Sequence, residues 1–119
     1  MAKEFMKIGP ITCTILADVS LSEERNKEMD FTIASEKPSL TSNAACSETE
    51  NGGMMCQISS SNVVIKTNFI GAKILNLCNG KITIEKIAHN LSEEYDFDDD
   101  EFVEQVKTFL NIFRTFKLI

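Results

Sequence analysis

Tryptophan is missing from this chain of 119 residues, and only one tyrosine, one histidine and two prolines are present. The lone histidine, His89, has no cysteine or serine placed to make a nucleophile–base pair with it, which argues against acyl-transfer chemistry. The four cysteines, Cys13, Cys46, Cys56 and Cys78, form no CxxC pair. Zinc sites usually draw their ligands from such close pairs, so no metal is expected. Nothing in the sequence implies the oxidising compartment that disulfides need, so the sulfurs are expected as thiols. A glycine-rich phosphate loop and a Rossmann fingerprint are also lacking, which leaves no signature of nucleotide chemistry and no cofactor to expect.

Long apolar runs are absent too. Nothing approaches the roughly 20 residues of a membrane span. Ile11–Ala17 is broken by Thr12 and Thr14 and is too short for the core of a signal peptide. A cytoplasmic protein without membrane contact is therefore expected. Positive charge is scarce: the formal net charge is -6, with six basic and nine acidic residues in 1–67 and the same numbers in 68–119. No basic stripe exists to attract phosphates, so no nucleic-acid partner is expected. The length suits one domain.

What is present is clearest in the second half. Asn68 can cap a helix, its side-chain oxygen accepting from a backbone N–H one turn on. Ile70, Ile74, Leu77 and Cys78 recur at helical spacing, and Gly71 and Ala72 permit close approach by a neighbour. Asn79-Gly80 offers the left-handed conformation that ends a helix. Thr83 caps a second helix with a buried stripe of Ile84, Ile87, Ala88 and Leu91, fraying near Tyr95. Asp98 and Glu101 have the spacing of a capping box. The third helix then runs from about Asp99 to Phe116. Phe102, Val106, Phe109, Phe113 and Phe116 share one face of it, which Val103, Leu110 and Ile112 widen.

Before Asn68 the period changes to two. Met54, Cys56 and Ile58 alternate with their neighbours, Ser60-Ser61-Asn62 offers a turn, and Val63, Ile65 and Thr67 alternate again. This is a hairpin that feeds directly into the first helix cap. Further strand candidates are Ile11–Val19 and Asp30–Ala34. Ser22–Glu28 is charged and reads as an exposed helical turn. The segment Ser35–Gly53 is polar, with too little apolar surface to offset its ordering, and is expected to be a mobile loop.

The order and spacing of the motifs Val64-Ile65-Lys66-Thr67-Asn68, Gly71-Ala72-Lys73-Ile74-Leu75, Asn79-Gly80-Lys81-Ile82-Thr83-Ile84-Glu85-Lys86-Ile87 and Tyr95-Asp96-Phe97-Asp98 resemble the PqqD-type peptide chaperones, also called RiPP recognition elements. The resemblance covers about Met54 to Ile119 and is built of structural residue types, none of them catalytic. Two features depart from the family pattern. Thr67 stands where the family usually has an apolar residue, and the region before the hairpin is longer.

The resemblance implies an α+β fold, winged-helix-like, with a small antiparallel sheet of three strands followed by a three-helix bundle. Asp30–Ala34 is taken as the third strand, and Ile11–Val19 as a fourth strand or an arm. Residues 1–53 would then belong to the same domain as the PqqD-like unit 54–119. The implied function is non-catalytic. The protein would capture the leader segment of a ribosomally made precursor peptide and present it to a modifying enzyme, of the radical-SAM type in that family. An open β edge offers unpaired N–H and C=O groups to such a peptide. That edge is expected at Val63, Val64, Ile65, Lys66 and Thr67. The other wall of the groove is expected from Phe102, Val103, Val106, Phe109 and Leu110. A monomer or weak dimer is expected.

Two other readings compete. A winged-helix DNA-binding regulator would share the helix arrangement, but its recognition helix would begin with Asp98, Asp99, Asp100 and Glu101. A structural interaction module could pair its edge strand with itself. The acidic run Glu93–Glu101 lacks the central glycine of a calcium loop and is better explained by helix capping and a solvated face. His89 should point partly to solvent.

Overall fold

Alternation of buried and outward side chains builds the sheet, and helical stripes cover one of its faces. The computed structural model describes residues 2–17, 35–42, 44–58, 63–116, 118 and 119. Among the described residues there are five strands: β1 (Ala2–Ile8), β2 (Ile11–Ala17), β3 (Ala44–Glu48), β4 (Met54–Ile58) and β5 (Val64–Thr67). All pairings are antiparallel, in the order β1-β2-β5-β4-β3. Three helices follow: α1 (Phe69–Asn76), α2 (Ile84–Tyr95) and α3 (Asp99–Thr115). The α+β class agrees with the sequence reading, while the sheet has five strands where three or four were expected.

Ile11, Cys13 and Ile15 of β2, Met54, Cys56 and Ile58 of β4, and Ile65 of β5 all point into one core with the helices. The row Phe5, Thr14, Lys66, Met55, Ser47 runs across the other face, each residue opposite the next in register. β1 and β2 are joined by Gly9-Pro10 alone, with Ile8 opposite Ile11. Gly9 has φ 59°. A two-residue hairpin turn with positive φ first and proline second is of type II′, since proline bars the positive φ that type I′ needs there.

The caps fall where the sequence placed them. Asn68, Thr83 and Asp98 accept from the N–H groups of Gly71, Lys86 and Glu101 at 3.2, 3.1 and 3.0 Å. Only half of the capping box forms, because the Glu101 carboxylate takes the Gln105 amide instead. α2 ends at Tyr95 through Asp96, which is left-handed at φ 58°. Gly80 is left-handed too, at φ 78°, but lies in the connection beyond the end of α1.

One expectation for the first half needs correction. β3 lies inside the segment read as a mobile loop and supplies the third strand of the hairpin sheet. Residues 36–41 of that segment are fastened to the helical layer by backbone bonds. Ile84 N–H reaches Glu36 at 2.8 Å, Gly80 N–H reaches Pro38 at 2.8 Å, and Thr41 N–H reaches Leu118 at 2.8 Å. Glu36 also pairs with Arg114. Backbone groups, which composition does not weigh, order this stretch. Of the two alternatives for Ile11–Val19, a strand or an arm, the structure has the strand, over Ile11–Ala17, set between β1 and β5. The strand read at Asp30–Ala34, the turn at Ser22–Glu28 and the Ser60-Ser61-Asn62 turn lie outside the described residues.

Cys46 and Cys56 are disulfide-bonded, against the expectation of four thiols. They are direct cross-strand partners on β3 and β4 with Cα atoms 4.1 Å apart, a register that only the fold could reveal. Cys13 and Cys78 are free and buried.

Candidate functional site

The junction of β5 and α1 carries a cluster of polar fastenings. Asn68 uses both ends of its side-chain amide. Its oxygen caps α1, and its nitrogen donates to the Pro10 carbonyl at 2.8 Å. The Asn68 backbone N–H donates to the Thr12 carbonyl at 3.3 Å. That carbonyl also accepts from the Thr67 hydroxyl at 2.7 Å. A Cβ on Gly71 would run into this hydroxyl, so glycine there leaves room for the Thr67 side chain. Thr67, the departure from the family pattern, thus has a structural role: it holds the β1–β2 hairpin.

The far side of the hairpin meets α3. β1 packs against that helix, β2 against α1. Gly9 sits so close to Gln105 of α3 that a side chain there would collide with it. Beside the turn, Gly9, Pro10, Phe97, Asp98, Glu101 and Gln105 line a hollow of about 200 Å³.

The edge expected to be vacant is therefore filled. β5 pairs with β4 on one side and with β2 on the other, in the register Cys13 to Thr67, Thr14 to Lys66, Ile15 to Ile65 and Leu16 to Val64. The physical reason lies in β2 itself: Ile11, Cys13 and Ile15 are each at most 1% exposed. Burying such side chains stabilises by about 1.5–3 kcal/mol for each aliphatic one. That burial favours the docked position of β2 over an exposed one.

The proposed contact residues divide accordingly. Val63, Ile65, Phe102, Val106, Phe109 and Leu110 are brought together in the core that also holds Ile11, Cys13 and Ile15. Thr67 is buried beneath the hairpin. Val64 and Lys66 face the opposite side of the sheet, half-buried and exposed respectively, and Val103 is half-buried at the margin of the core. β5 and the buried face of α3 thus contribute to one core together with the hairpin that bonds to the first and abuts the second.

Other features surround this frame. Phe69, Tyr95, Phe97 and Phe102 form a chain of ring contacts from the surface to the core, with centroids 5.9, 5.7 and 4.9 Å apart. Lys73 lies 5.7 Å from the Tyr95 ring centre and 3.4 Å from the Glu94 carboxylate. Hydrogen bonds to Tyr95 and Glu94 hold its pKa above the ordinary lysine value. His89 is half-exposed, as expected, and pairs with Glu93 and Asp99 at 3.1 and 3.4 Å. Burial pushes the Cys13 thiol up to about 12, with the charge of Glu4 adding to it. Burial does the same to Cys78, to about 12, with Glu36 adding. A thiol so protonated is a poor nucleophile. Among the described residues no group of three or more His, Cys, Asp or Glu could hold a metal ion, and no helix is long and apolar enough to cross a membrane.

The sequence reading missed β1, the Gly9-Pro10 turn and the clasp at Thr67 and Asn68. A signal existed for the hairpin. Gly-Pro is a turn dipeptide, and Ile11, Cys13 and Ile15 alternate with threonines after it, as a half-buried strand does.

No curated protein and no solved structure matches the chain. A family model described as coenzyme PQQ synthesis protein D (PqqD) matches residues 52–119, which takes in β4, β5 and all three helices and leaves β1, β2 and β3 outside. Motif order, helix caps and this match over more than half of the chain converge: the protein belongs to the PqqD family.

Proposed function

We propose that this protein is a non-catalytic accessory of peptide-modifying biosynthesis. It captures the leader segment of a ribosomally made precursor peptide as an added β strand and presents it to a modifying enzyme, a radical-SAM maturase being the partner the family resemblance suggests. The supporting observation is the pairing of a strand along β5. The part of the chain that matches the family supplies β5 and the helical wall, and an extended strand from outside that part lies along β5. A surface that accepts one strand by main-chain pairing and alternate apolar side chains has what strand addition needs. Val63–Thr67 and Phe102, Val103, Val106, Phe109 and Leu110 remain the proposed contact set, reached when β2 is out of the way. We place the protein in the cytoplasm, where the Cys46–Cys56 pair would stand as two thiols.

The test is an NMR titration of the full chain with a synthetic leader peptide taken from a precursor encoded beside it. Binding with shifts along Val63–Thr67 and Phe102–Leu110 supports the reading. An absence of binding, or shifts confined to residues 35–53, rejects it.

A further inference from the structure

The β1–β2 hairpin is a segment of this chain, outside the family-matched region, lying along the β5 edge. Its hold on that edge is specific yet short. Four residue pairs join β2 to β5, and three bonds from Thr67 and Asn68 fix Thr12 and Pro10. Three alternate side chains fill the core: an aliphatic at Ile11, a small thiol at Cys13 opposite Thr67, and an aliphatic at Ile15 opposite Ile65. The intervening Thr12 and Thr14 face the open side, where they line a hollow of about 510 Å³ with Lys66, Asn68 and Phe69.

We propose that the hairpin is a resident self-ligand of the β5 edge, and that this edge takes an extended segment of the pattern aliphatic-x-small-x-aliphatic running antiparallel to β5. This rests on the strand-addition reading and adds to it both the chemistry of the ligand and the competitor it must displace. The argument is one of shape and pairing. Whatever binds along β5 meets the same row of backbone donors and acceptors that β2 now satisfies. It must also fill the spaces occupied by Ile11, Cys13 and Ile15. Ligand and hairpin exclude each other, so the apparent affinity falls by the fraction of molecules whose edge is open.

The probe is a fluorescent peptide of residues 9–17, with alanine in place of Cys13, added to the full chain and followed by anisotropy. Ile15→Ala weakens the hairpin's seat and should raise probe affinity at least about tenfold over wild type. Thr67→Val, which removes the same bond to Thr12 from hairpin and probe alike, should leave it nearly unchanged. Ile84→Ala, a core truncation on α2, should leave it unchanged. Thr14→Cys with Lys66→Cys, opposite each other on the open face, locks β2 to β5 when oxidised and should abolish binding.

Equal binding to the locked and wild-type proteins overturns the proposal, as does an equal rise in Ile84→Ala. Binding to none of the variants overturns it as well. The leader peptide separates the two claims. If it binds the locked protein, the accessory role stands and the self-ligand falls. If it binds no variant while the 9–17 probe behaves as expected, the self-ligand stands and the leader reading falls.

Discussion

At the scale of single residues, the arrangement around Gly71 makes a sharp test. Ordinarily alanine favours a helix over glycine, but here its Cβ meets the Thr67 hydroxyl. Gly71→Ala should cost about 1–3 kcal/mol, as overpacked sites do. Adding Thr67→Ala removes the obstacle, so the double variant should cost less than the sum of the two, by about 1 kcal/mol in a urea-unfolding cycle. Additive losses would show that the two residues do not meet. The buried thiols make a second prediction. Cys13 and Cys78 hold their protons up to about 12 in the fold, against an ordinary value of 9.0. Below pH 9 their contribution is fully present. As pH climbs from 9 towards 12 the unfolded chain sheds protons that the folded chain keeps, and stability falls by about 1.4 kcal/mol per pH unit for each thiol. Urea midpoints at pH 8 and pH 10 should show the drop, and Cys78→Ala should make it smaller.

At the scale of elements, the helices were legible and the sheet only partly so. Helix caps are local events, decided by a side chain and an N–H three residues away, and Asn68, Thr83 and Asp98 could be read without knowing the fold. Strand pairing is not local. Nothing in the residues of β3 says that Ala44–Glu48 will find β4, and nothing in β5 says that β2 will reach it across some fifty residues of sequence. The disulfide illustrates the same limit, since it follows from a register and not from a spacing. It closes a loop of sequence separation 10, which the chain-entropy argument values at about 2–3 kcal/mol. Reduction should therefore lower the melting temperature, read by calorimetry with and without reductant, by several degrees, and Cys46→Ser should match the reduced protein. A melting point indifferent to reductant would mean that the bond contributes nothing.

At the scale of the whole molecule, the fold class and the family can be read from the sequence, while what covers its apolar stripes depends on topology. The aliphatic stripe on β5 and the phenylalanine stripe on α3 were both recognised, yet a buried stripe reads alike whether its cover is a visitor or the chain's own N-terminal strands. Acidity argues against one competing reading. With Asp98, Asp99, Asp100 and Glu101 at the start of α3 and a net charge of -6, a gel shift with duplex DNA at low salt should show no complex; a salt-sensitive band would revive the regulator reading. One small feature reaches furthest. The primary amide of Asn68 touches helix α1 through its oxygen and the hairpin turn through its nitrogen, so its two side-chain protons carry a natural label for whether the turn is docked. In an isotope-enriched sample that single pair of signals would register undocking at the moment it happens, without a fluorophore, a tag or any altered residue.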